Sequence, residues 1–330
     1  MRGMPVNCGN NWHPDAARPS TAAPALVSAL NTETLTMTDP TPASPTLSQE
    51  LDLQHLRSWV GRSQTHSDFI SAAPLASLSA TLDRDDPAPE AGTPVPPLWH
   101  WIYFTPQTLA RDIGADGHAK RGGFLPPVPL PRRMWAGGRL QFHQPLRVGE
   151  TATQVSSIKD VTIKSGRSGT LVFVCVRHEY RGAQGLAVSE EHDIVYRDAP
   201  QPNAPVPAPI VAPRDEQFER LIQADPVLLF RYSALTFNGH RIHYDRSYVT
   251  GVEGYPGLVV HGPLIATLLL DLLRRNQPLA RVAEFSFKAL RPTFDIHPFS
   301  VCGRIGGATA SLWGRDHQGH LTMQAEARLA

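Results

Sequence analysis

Five polar residues that could perform acid–base chemistry lie close together in RYSALTFNGHRIHYD, residues 231–245. They are Asn238, His240, His243, Tyr244 and Asp245. An imidazole has an unperturbed pKa near neutrality, so His243 could take a proton from water or return one. An amide cannot act as a general base, but Asn238 could hold a water or a carbonyl group by hydrogen bonds. The stretch could therefore be a catalytic loop, a metal site or a polar turn between two strands.

A metal site in this stretch would use His240, His243 and Asp245, whose side chains are common metal ligands. The spacing His-x-x-His-x-Asp has no helical support, and the sequence offers no distant ligand to complete the set. We therefore predict no bound metal. In a purely structural interpretation, Asn238 forms a turn, a frequent role of asparagine, while His240 and Asp245 hold the loop.

One clear helix is predicted over residues 262–276, GPLIATLLLDLLRRN. Pro263 suits a first helical turn, and the basic pair at 274–275 suits the negative end of the helix dipole. The helix is apolar on nearly every side, so it should be buried. Its start, reached through residues 254–261, offers unpaired backbone N–H groups that favour developing negative charge, such as an enolate oxygen.

Alternating apolar and polar residues predict antiparallel strands in both halves of the chain. Val172, Val174 and Val176 share one face of a strand. A strand, a proline-containing bend, a long strand and two more strands around a glycine turn occur in 137–198 and again in 282–330. We interpret this pattern as an internal duplication in an α+β fold, with a curved antiparallel sheet around a buried helix.

The rest of the first half is less regular. Residues 67–86 predict a helix that is more polar than the one in the second half. Residues 121–138 contain several prolines, which predict a loop or an edge segment rather than a central strand. Three aromatic residues are predicted to lie in the core of this half: Trp99, Trp101 and Tyr103.

Composition bounds the class of protein. The chain has 330 residues, a formal net charge of +1 and three widely spaced cysteines. The balanced charge argues against nucleic acid or an anionic membrane as a partner, and the cysteines argue against a disulfide framework. The longest apolar run, near residues 258–273, is too short to span a bilayer. We therefore expect a cytoplasmic protein.

Composition also divides the chain into four parts. Residues 1–46 are rich in Pro, Ala, Ser and Thr, which predicts a disordered extension, and Met37 begins a stretch typical of a protein start. Residues 198–215 predict an extended Pro/Ala linker. It separates residues 47–197 from residues 216–330.

The segments TFNGHRIHYD and GLVVHGPL resemble the motifs of the MaoC-like enoyl-CoA hydratase family of hot-dog enzymes. Over about residues 45–330 the chain resembles one double hot-dog branch of that family. This branch contains mesaconyl-C4-CoA and itaconyl-CoA hydratases and mitochondrial 3-hydroxyacyl-thioester dehydratases. The resemblance implies two tandem hot-dog units, each a curved antiparallel sheet around a central helix. Residues 216–330 would be the complete, catalytic unit and 47–197 a degenerate unit of the FAS1-like dehydratase type.

The resemblance implies reversible addition of water to an α,β-unsaturated acyl-CoA thioester. The family's catalytic histidine falls on His243, its catalytic aspartate on Asn238 and its asparagine on His240. The mechanism would thus depend on His243 as base or acid, with Asn238 positioning water and His240 as a second proton carrier. Three other positions match supporting residues of the family: Asp245, His261 and Gly262.

Substrate binding requires cations and close backbone approach. Arginine forks suit a carboxylate or the phosphates of coenzyme A. A C5 dicarboxylic acyl group, such as mesaconyl or itaconyl, needs a cation near its distal carboxylate, whereas a fatty enoyl chain needs an apolar slot. No cofactor is expected, because coenzyme A is part of the substrate. The candidate substrate-binding residues are Arg241, Gly257, Pro263, Arg132, Arg133 and Arg291.

Three alternatives compete with the C5 hydratase. One is a 3-hydroxyacyl-thioester dehydratase of fatty acid synthesis, and another is an acyl-CoA-binding protein that has lost its chemistry. A thioesterase would need an acid on the buried helix, where only Asp271 is available. We expect one active site per chain, with the first half supplying the acyl pocket and part of the coenzyme A tunnel. The sequence is also compatible with a homodimer of such chains.

Overall fold

In the part of the chain that the structure describes, the strands form a single ten-stranded antiparallel sheet. The computed structural model describes residues 52–166, 169–198 and 208–330. The predictions for residues 1–46, and for the linker from 199 to 207, lie outside these ranges.

Each half of the chain contributes five strands. The elements of the N-terminal unit are α1 (Leu53–Arg57), β1 (Ser63–Phe69), α2 (Ala72–Thr81), β2 (Arg132–Phe142), β3 (Thr151–Gly166), β4 (Gly169–Gly182) and β5 (Gly185–Arg197), with short 3-10 turns at Trp99–Ile102 and Ala110–Asp112. The elements of the C-terminal unit are β6 (Phe218–Ile222), α3 (Pro226–Thr236), a 3-10 turn (Arg241–His243), α4 (Arg246–Gly251), α5 (Gly262–Asn276), β7 (Val282–Ala289), β8 (Phe299–Gly306), β9 (Thr309–Arg315) and β10 (Leu321–Leu329).

The strand order confirms the predicted duplication. The sheet runs β1-β3-β4-β5-β2-β7-β10-β9-β8-β6, so each unit repeats the order first, third, fourth, fifth, second among its own strands. Antiparallel pairing of β2 with β7 joins the two units. Gly137 is required at this junction, because a Cβ there would collide with the carbonyl oxygen of Phe287.

Helix α5 begins and ends where the sequence predicts and forms the centre of the C-terminal unit. All ten residues from Leu264 to Leu273 are buried, and the helix contacts β6, β8, β9 and β10. Burying one leucine contributes about 1.5–3 kcal/mol, so this helix supplies much of the unit's core. No helix in the described part of the chain, α5 included, has the length and apolar character needed to span a membrane.

The N-terminal unit has a different middle. In both units a helix directly follows the first strand, α2 after β1 and α3 after β6, and these two helices contact each other. Between α2 and β2, however, the fully described residues 82–131 contain 3-10 turns and loops where the C-terminal unit has α4 and α5. This missing central helix is the physical basis of the predicted degeneracy.

Two predictions for the N-terminal unit are partly wrong. Residues 67–86 do not form one helix, because residues 63–69 pair with β3 as edge strand β1 and the helix begins at Ala72. Residues 121–138 are not all loop, because Arg132 begins β2 in the middle of the sheet, paired with β5 and β7. A proline removes a ladder donor only at its own position, and the prolines of this segment all precede Arg132.

The core of the N-terminal unit encloses a carboxylate, Glu190. Its oxygens accept hydrogen bonds from Trp101 Nε1 at 3.1 Å and from the Tyr180 hydroxyl at 3.2 Å, and His100 Nε2 lies 3.3 Å away. Burial raises the pKa of Glu190, but the His100 contact and nearby histidines outweigh it and lower the pKa to about 2. All three predicted core aromatics lie in or against the hydrophobic core: Trp99 and Tyr103 are buried, and Trp101 is partly buried.

Candidate active site

The predicted catalytic stretch connects two helices rather than two strands. Helix α3 ends at Thr236, Phe237 adopts a left-handed backbone conformation, and a 3-10 turn leads into α4. Asp245 begins α4, since its side chain accepts a hydrogen bond from the amide of Tyr248 at 3.0 Å. The loop is therefore anchored at both ends by helix termini.

His243 is buried, and the backbone sets its tautomer. Its Nδ1 lies 2.7 Å from the carbonyl oxygen of Val259, so Nδ1 carries the proton and donates it. Nε2 is then unprotonated and can accept a proton. Burial lowers the pKa of His243 to about 4, against the smaller raising effect of the Val259 hydrogen bond. The ring is therefore neutral at pH 7 and suited to act as a base.

His261 packs against His243. The two rings are stacked, with centroids 3.7 Å apart and an interplanar angle of 19°. His261 is fully buried, and its Nε2 lies 2.8 Å from the hydroxyl oxygen of Ser233. Burial holds its pKa well below the ordinary value. The predicted supporting residue thus fixes the plane of the His243 ring.

The start of α5 presents two backbone donors beside these rings. Ile265 donates to the carbonyl of His261 at 3.1 Å, so the amides of Gly262 and Leu264 precede the helical hydrogen-bond ladder, and Pro263 has no N–H. A Cβ on Gly262 would meet no protein atom within 4 Å. The glycine is therefore not required by a tight turn, and its small size leaves the approach to the amides open.

Asn238 and His240 form a turn next to His243. The side-chain oxygen of Asn238 accepts a hydrogen bond from the amide of His240 at 3.0 Å. Within the described residues, no protein group accepts a hydrogen bond from Asn238 Nδ2, so its two hydrogens can serve water or a carbonyl. The His240 ring stands edge-on to His243 with centroids 5.3 Å apart. Burial, followed by the charges of His118 and His243, lowers the pKa of His240 to about 2.

The N-terminal unit contributes two residues that the sequence analysis missed, Asp116 and His118. The His118 ring lies against the His240 ring with centroids 3.9 Å apart, and its Nδ1 is 2.9 Å from the Asp116 carboxylate. The backbones also join, because the amide of Arg241 donates to the carbonyl of Asp116 at 2.9 Å. This unit therefore adds ionisable groups to the histidine cluster.

The same residues are candidates to hold a cation. One ligand atom each of Asp116, His118 and His240 lie within 4.8 Å of one another. This set differs from the candidates considered from sequence, because His243 is bonded to the backbone and Asp245 caps α4. The contact between Asp116 and His118 also matches the way a carboxylate orients an imidazole without any metal. The absence of a metal stays a prediction.

Three of the predicted substrate-binding residues have structural contacts instead. Arg241 pairs with Asp245 at 2.8 Å, and Arg132 pairs with Glu253 at 3.5 Å, so both guanidinium groups hold loops. Gly257 is buried, and a Cβ there would lie 2.6 Å from a neighbouring carboxylate oxygen. These contacts hold loops, and a substrate-binding role for the three residues stays a prediction.

Two arginines are left as anion-binding candidates. Within the described residues, neither Arg133 nor Arg291 forms an ion pair, and Nη1 of Arg291 is buried without a hydrogen-bond partner. After the effect of burial, the charge of Arg133 is among the causes that lower the pKa of His118 and of His240. The charge of Arg133 therefore acts on these two histidines, and its role in binding a substrate anion stays a prediction.

Asp271, the acid that a thioesterase would need, lies in the C-terminal part of α5 and is paired with three arginines. Its buried carboxylate accepts hydrogen bonds from Arg84 at 2.6 Å, Arg275 at 2.7 Å and Arg220 at 3.1 Å. Arg84 belongs to the N-terminal unit and the other residues to the C-terminal unit, so these ion pairs join the two units. This geometry disfavours the thioesterase alternative.

Comparison with known proteins gives the family. The family model for hydroxyacyl-thioester dehydratase type 2 matches residues 98–295. A relative from Chloroflexus aurantiacus, named mesaconyl-C(4)-CoA hydratase, is 46% identical over 274 residues, covering 82% of this chain and 96% of the relative. The chain belongs to the hydroxyacyl-thioester dehydratase type 2 family. A Schizosaccharomyces pombe relative, named hydroxyacyl-thioester dehydratase type 2, mitochondrial, is 28% identical, covering 74% of this chain and 90% of the relative.

Solved structures support the fold of this family member. A MaoC-like dehydratase from Phytophthora capsici has a TM-score of 0.61 at 12% identity, covering 85% of this chain and 98% of that one. A Mycobacterium tuberculosis protein described as a double hot-dog fold has a TM-score of 0.51 at 14% identity, covering 82% and 96% of the two chains. The predicted double hot-dog fold and the predicted family are therefore confirmed.

Proposed function

We propose that this protein catalyses the reversible hydration of an α,β-unsaturated acyl-CoA thioester. The observation that carries the proposal is the geometry of His243. Its Nδ1 donates to the carbonyl of Val259, which leaves Nε2 free as a base, and its ring stacks on the residue that precedes α5. A general base next to a helix N-terminus suits addition of water to a carbon–carbon double bond conjugated to a thioester.

Each residue has a role in the hydration direction. The water oxygen bonds to the β-carbon while Nε2 of His243 accepts a proton from that water. The electron pair of the double bond moves toward the thioester oxygen, to which the amides of Gly262 and Leu264 donate, and a proton returns to the α-carbon. One O–H bond and the π bond of the double bond break while one C–O and one C–H bond form, so the reaction needs no oxidant and no cofactor. The side-chain amide of Asn238 orients the water or the carbonyl.

The proposed substrate is a C5 dicarboxylic acyl-CoA, such as mesaconyl-C4-CoA or itaconyl-CoA. The Chloroflexus relative carries the name of such an enzyme. In this chain, Arg133 is partly buried, its charge lowers the pKa of His240, and it has no carboxylate partner among the described residues. A guanidinium in that position would bind the distal carboxylate of the acyl group.

A second candidate function is dehydration of 3-hydroxyacyl thioesters in fatty acid synthesis. The Schizosaccharomyces pombe relative is named as a hydroxyacyl-thioester dehydratase. By microscopic reversibility, the same histidine and the same amides would serve the reverse reaction. The two functions differ in the acyl group, because a fatty acyl chain has no distal carboxylate for Arg133.

The test is turnover by purified protein, followed as loss of enoyl-thioester absorbance. Mesaconyl-C4-CoA, itaconyl-CoA and crotonyl-CoA would be compared, with His243→Ala alongside and His143→Ala, an exposed histidine of the N-terminal unit, as control. We expect turnover that His243→Ala abolishes and the control retains, with the dicarboxylic thioesters preferred. Tight binding of all three thioesters without turnover would favour the acyl-CoA-binding protein instead.

The oligomeric state and the cellular location of this protein also stay proposals. A homodimer of such chains would be measured by light scattering on the purified protein. A cytoplasmic location would be measured by cell fractionation, since the Schizosaccharomyces pombe relative is named as mitochondrial.

A further inference from the structure

Two turns of the same sequence type, one from each unit, meet beside the catalytic histidine. The first is Asp116-Gly117-His118 and the second is Asn238-Gly239-His240. In each turn the first side chain accepts a hydrogen bond from the amide of its histidine at 3.0 Å. The two turns are thus built alike, although they occupy different places in the order of elements of their units.

The two turns are packed directly against each other. Gly117 has a φ of +89°, which favours glycine, and a Cβ there would collide with the carbonyl oxygen of Gly239. The Arg241 side chain also crosses between them and donates to the carbonyl of Ala115 at 3.0 Å. This close fit holds the His118 and His240 rings together.

The turns differ in one respect, because only the first contains an acid. Burial raises the pKa of Asp116, but hydrogen bonds from the His118 side chain and amide outweigh it and leave the pKa below its ordinary range. Asp116 is therefore an anion at neutral pH. Asn238, the matching residue of the catalytic turn, is neutral.

An anion is needed here because the proposed reaction places a proton on one ring of a cluster that disfavours charge. His118, His240, His243 and His261 are buried or partly buried, and burial is the largest cause that lowers the pKa of each. A neighbouring negative charge offsets this cost when one of the rings accepts a proton. The charge of Asp116 raises the pKa of both His118 and His240.

We propose that Asp116, acting through His118, supplies the negative charge that stabilises a proton on the histidine cluster during turnover. Asp116 would thus compensate for the neutral Asn238, which stands where the family resemblance implies an aspartate. Asp116 is a positioning residue. It accepts the Nδ1 proton of His118, which fixes that tautomer and leaves Nε2 of His118 unprotonated on the other side of the ring. This inference rests on the proposed hydratase function, and it makes the active site a joint product of both units.

The test is Asp116→Asn in the full-length protein. The asparagine retains an oxygen for the His118 amide and the backbone carbonyl for Arg241, so it removes the charge with little change in shape. Asp112→Asn, an exposed carboxylate in the same segment, is the matched control. We expect Asp116→Asn to lower kcat about 10- to 100-fold, since a neighbouring opposite charge shifts a pKa by roughly 1–3 units. KM and the unfolding temperature should stay near those of the control.

A second readout does not depend on activity. In protein labelled with ¹⁵N-histidine, long-range ¹H–¹⁵N spectra distinguish the two neutral tautomers. We expect wild-type His118 to carry its proton on Nδ1. In Asp116→Asn the amide group would donate instead, so the proton should move to Nε2.

The outcomes separate the two proposals. Wild-type turnover that Asp116→Asn leaves unchanged would overturn this inference alone, as would a loss of kcat matched by a loss of folding. Absence of turnover in the wild type would overturn the proposed function and this inference with it. Activity that chelation abolishes and zinc restores would also overturn it, in favour of a metal held by Asp116, His118 and His240.

Discussion

Each unit of this chain contains a group of buried or partly buried histidines, and the two groups use their polar atoms differently. The N-terminal group is His100, His178 and His192, and the C-terminal group is His240, His243 and His261. In the N-terminal unit, Trp101, Tyr180 and His100 converge on Glu190, so the buried carboxylate is surrounded by partners. In the C-terminal unit, His243 bonds to the backbone through Nδ1, which leaves Nε2 for a reactant beside the start of α5. Burial and clustering are common to both groups. The distinguishing feature of the proposed catalytic group is a ring nitrogen, Nε2 of His243, that the fold positions and leaves without a hydrogen-bond partner among the described residues.

The largest expected effect separates the two groups by activity. His243→Gln removes the base and should lower kcat roughly 10²- to 10⁴-fold, the usual contribution of general acid–base catalysis. His178→Gln, in the N-terminal group, should leave kcat close to the wild-type value because that ring bonds to Ser156 and faces no proposed reactant. Steady-state kinetics on the preferred thioester measures both. Equal losses in the two variants would contradict the comparison.

The next effect separates the groups by stability. Glu190→Gln removes a buried charge from its partners and should lower the free energy of unfolding by roughly 3 kcal/mol, with kcat of the folded enzyme unchanged. The pKa of Glu190 is about 2 in the folded protein, below its ordinary value. Its stabilising effect is therefore complete above about pH 5 and is lost as the pH falls toward 2. Denaturant unfolding of wild type and variant at several pH values should converge at the acid end, and a constant difference would contradict this account.

A smaller effect tests which acyl group the C-terminal site accepts. Arg133→Met should raise KM for mesaconyl-C4-CoA about tenfold, because a charge-assisted hydrogen bond contributes about 1.5–3 kcal/mol. KM for crotonyl-CoA, which has no distal carboxylate, should stay unchanged. Arg139→Met on the same strand, where the arginine pairs with Glu191 and Asp193, is the matched control. A uniform rise in KM for all thioesters would assign Arg133 to coenzyme A instead.

The smallest effect is a pH profile that stays flat where an ordinary histidine would titrate. Burial lowers the pKa of His243 to about 4, and only the neutral ring is a base. As the pH falls from 8, kcat/KM should therefore hold to about pH 5.5 and reach half its value near pH 4, rather than near 6.5. Circular dichroism at each pH would show that the protein stays folded. A midpoint between 6 and 7 would mean that another group limits the reaction.

Much of the C-terminal unit could be predicted because local sequence agrees with the fold there. Helix α5 is apolar on nearly every side between a proline start and a basic end, and its predicted bounds hold. In the N-terminal unit the same agreement holds for strand β4, where Val172, Val174 and Val176 alternate along the strand and are all buried. An Asp-Pro step that caps α3, at Asp225 and Pro226, was a readable signal that the catalytic loop follows a helix.

The parts that could not be predicted depend on tertiary contacts. Strand β1 is a polar edge strand with one partner, so its sequence lacks the alternation of a half-buried strand. Asp116 and His118 lie in an irregular loop, and their importance comes from contact with a turn more than a hundred residues later. The likeness of the two Asx-Gly-His turns was visible in the sequence, but no period or spacing linked them.

The pairing of β2 with β7 within one polypeptide has a consequence for dilution. If the two units were separate molecules, the contact between their turns would disappear whenever the protein concentration fell below a dissociation constant. Here the covalent connection keeps each unit at a high effective concentration beside the other. The active site therefore stays assembled in a single molecule at any enzyme concentration, whether or not two chains associate.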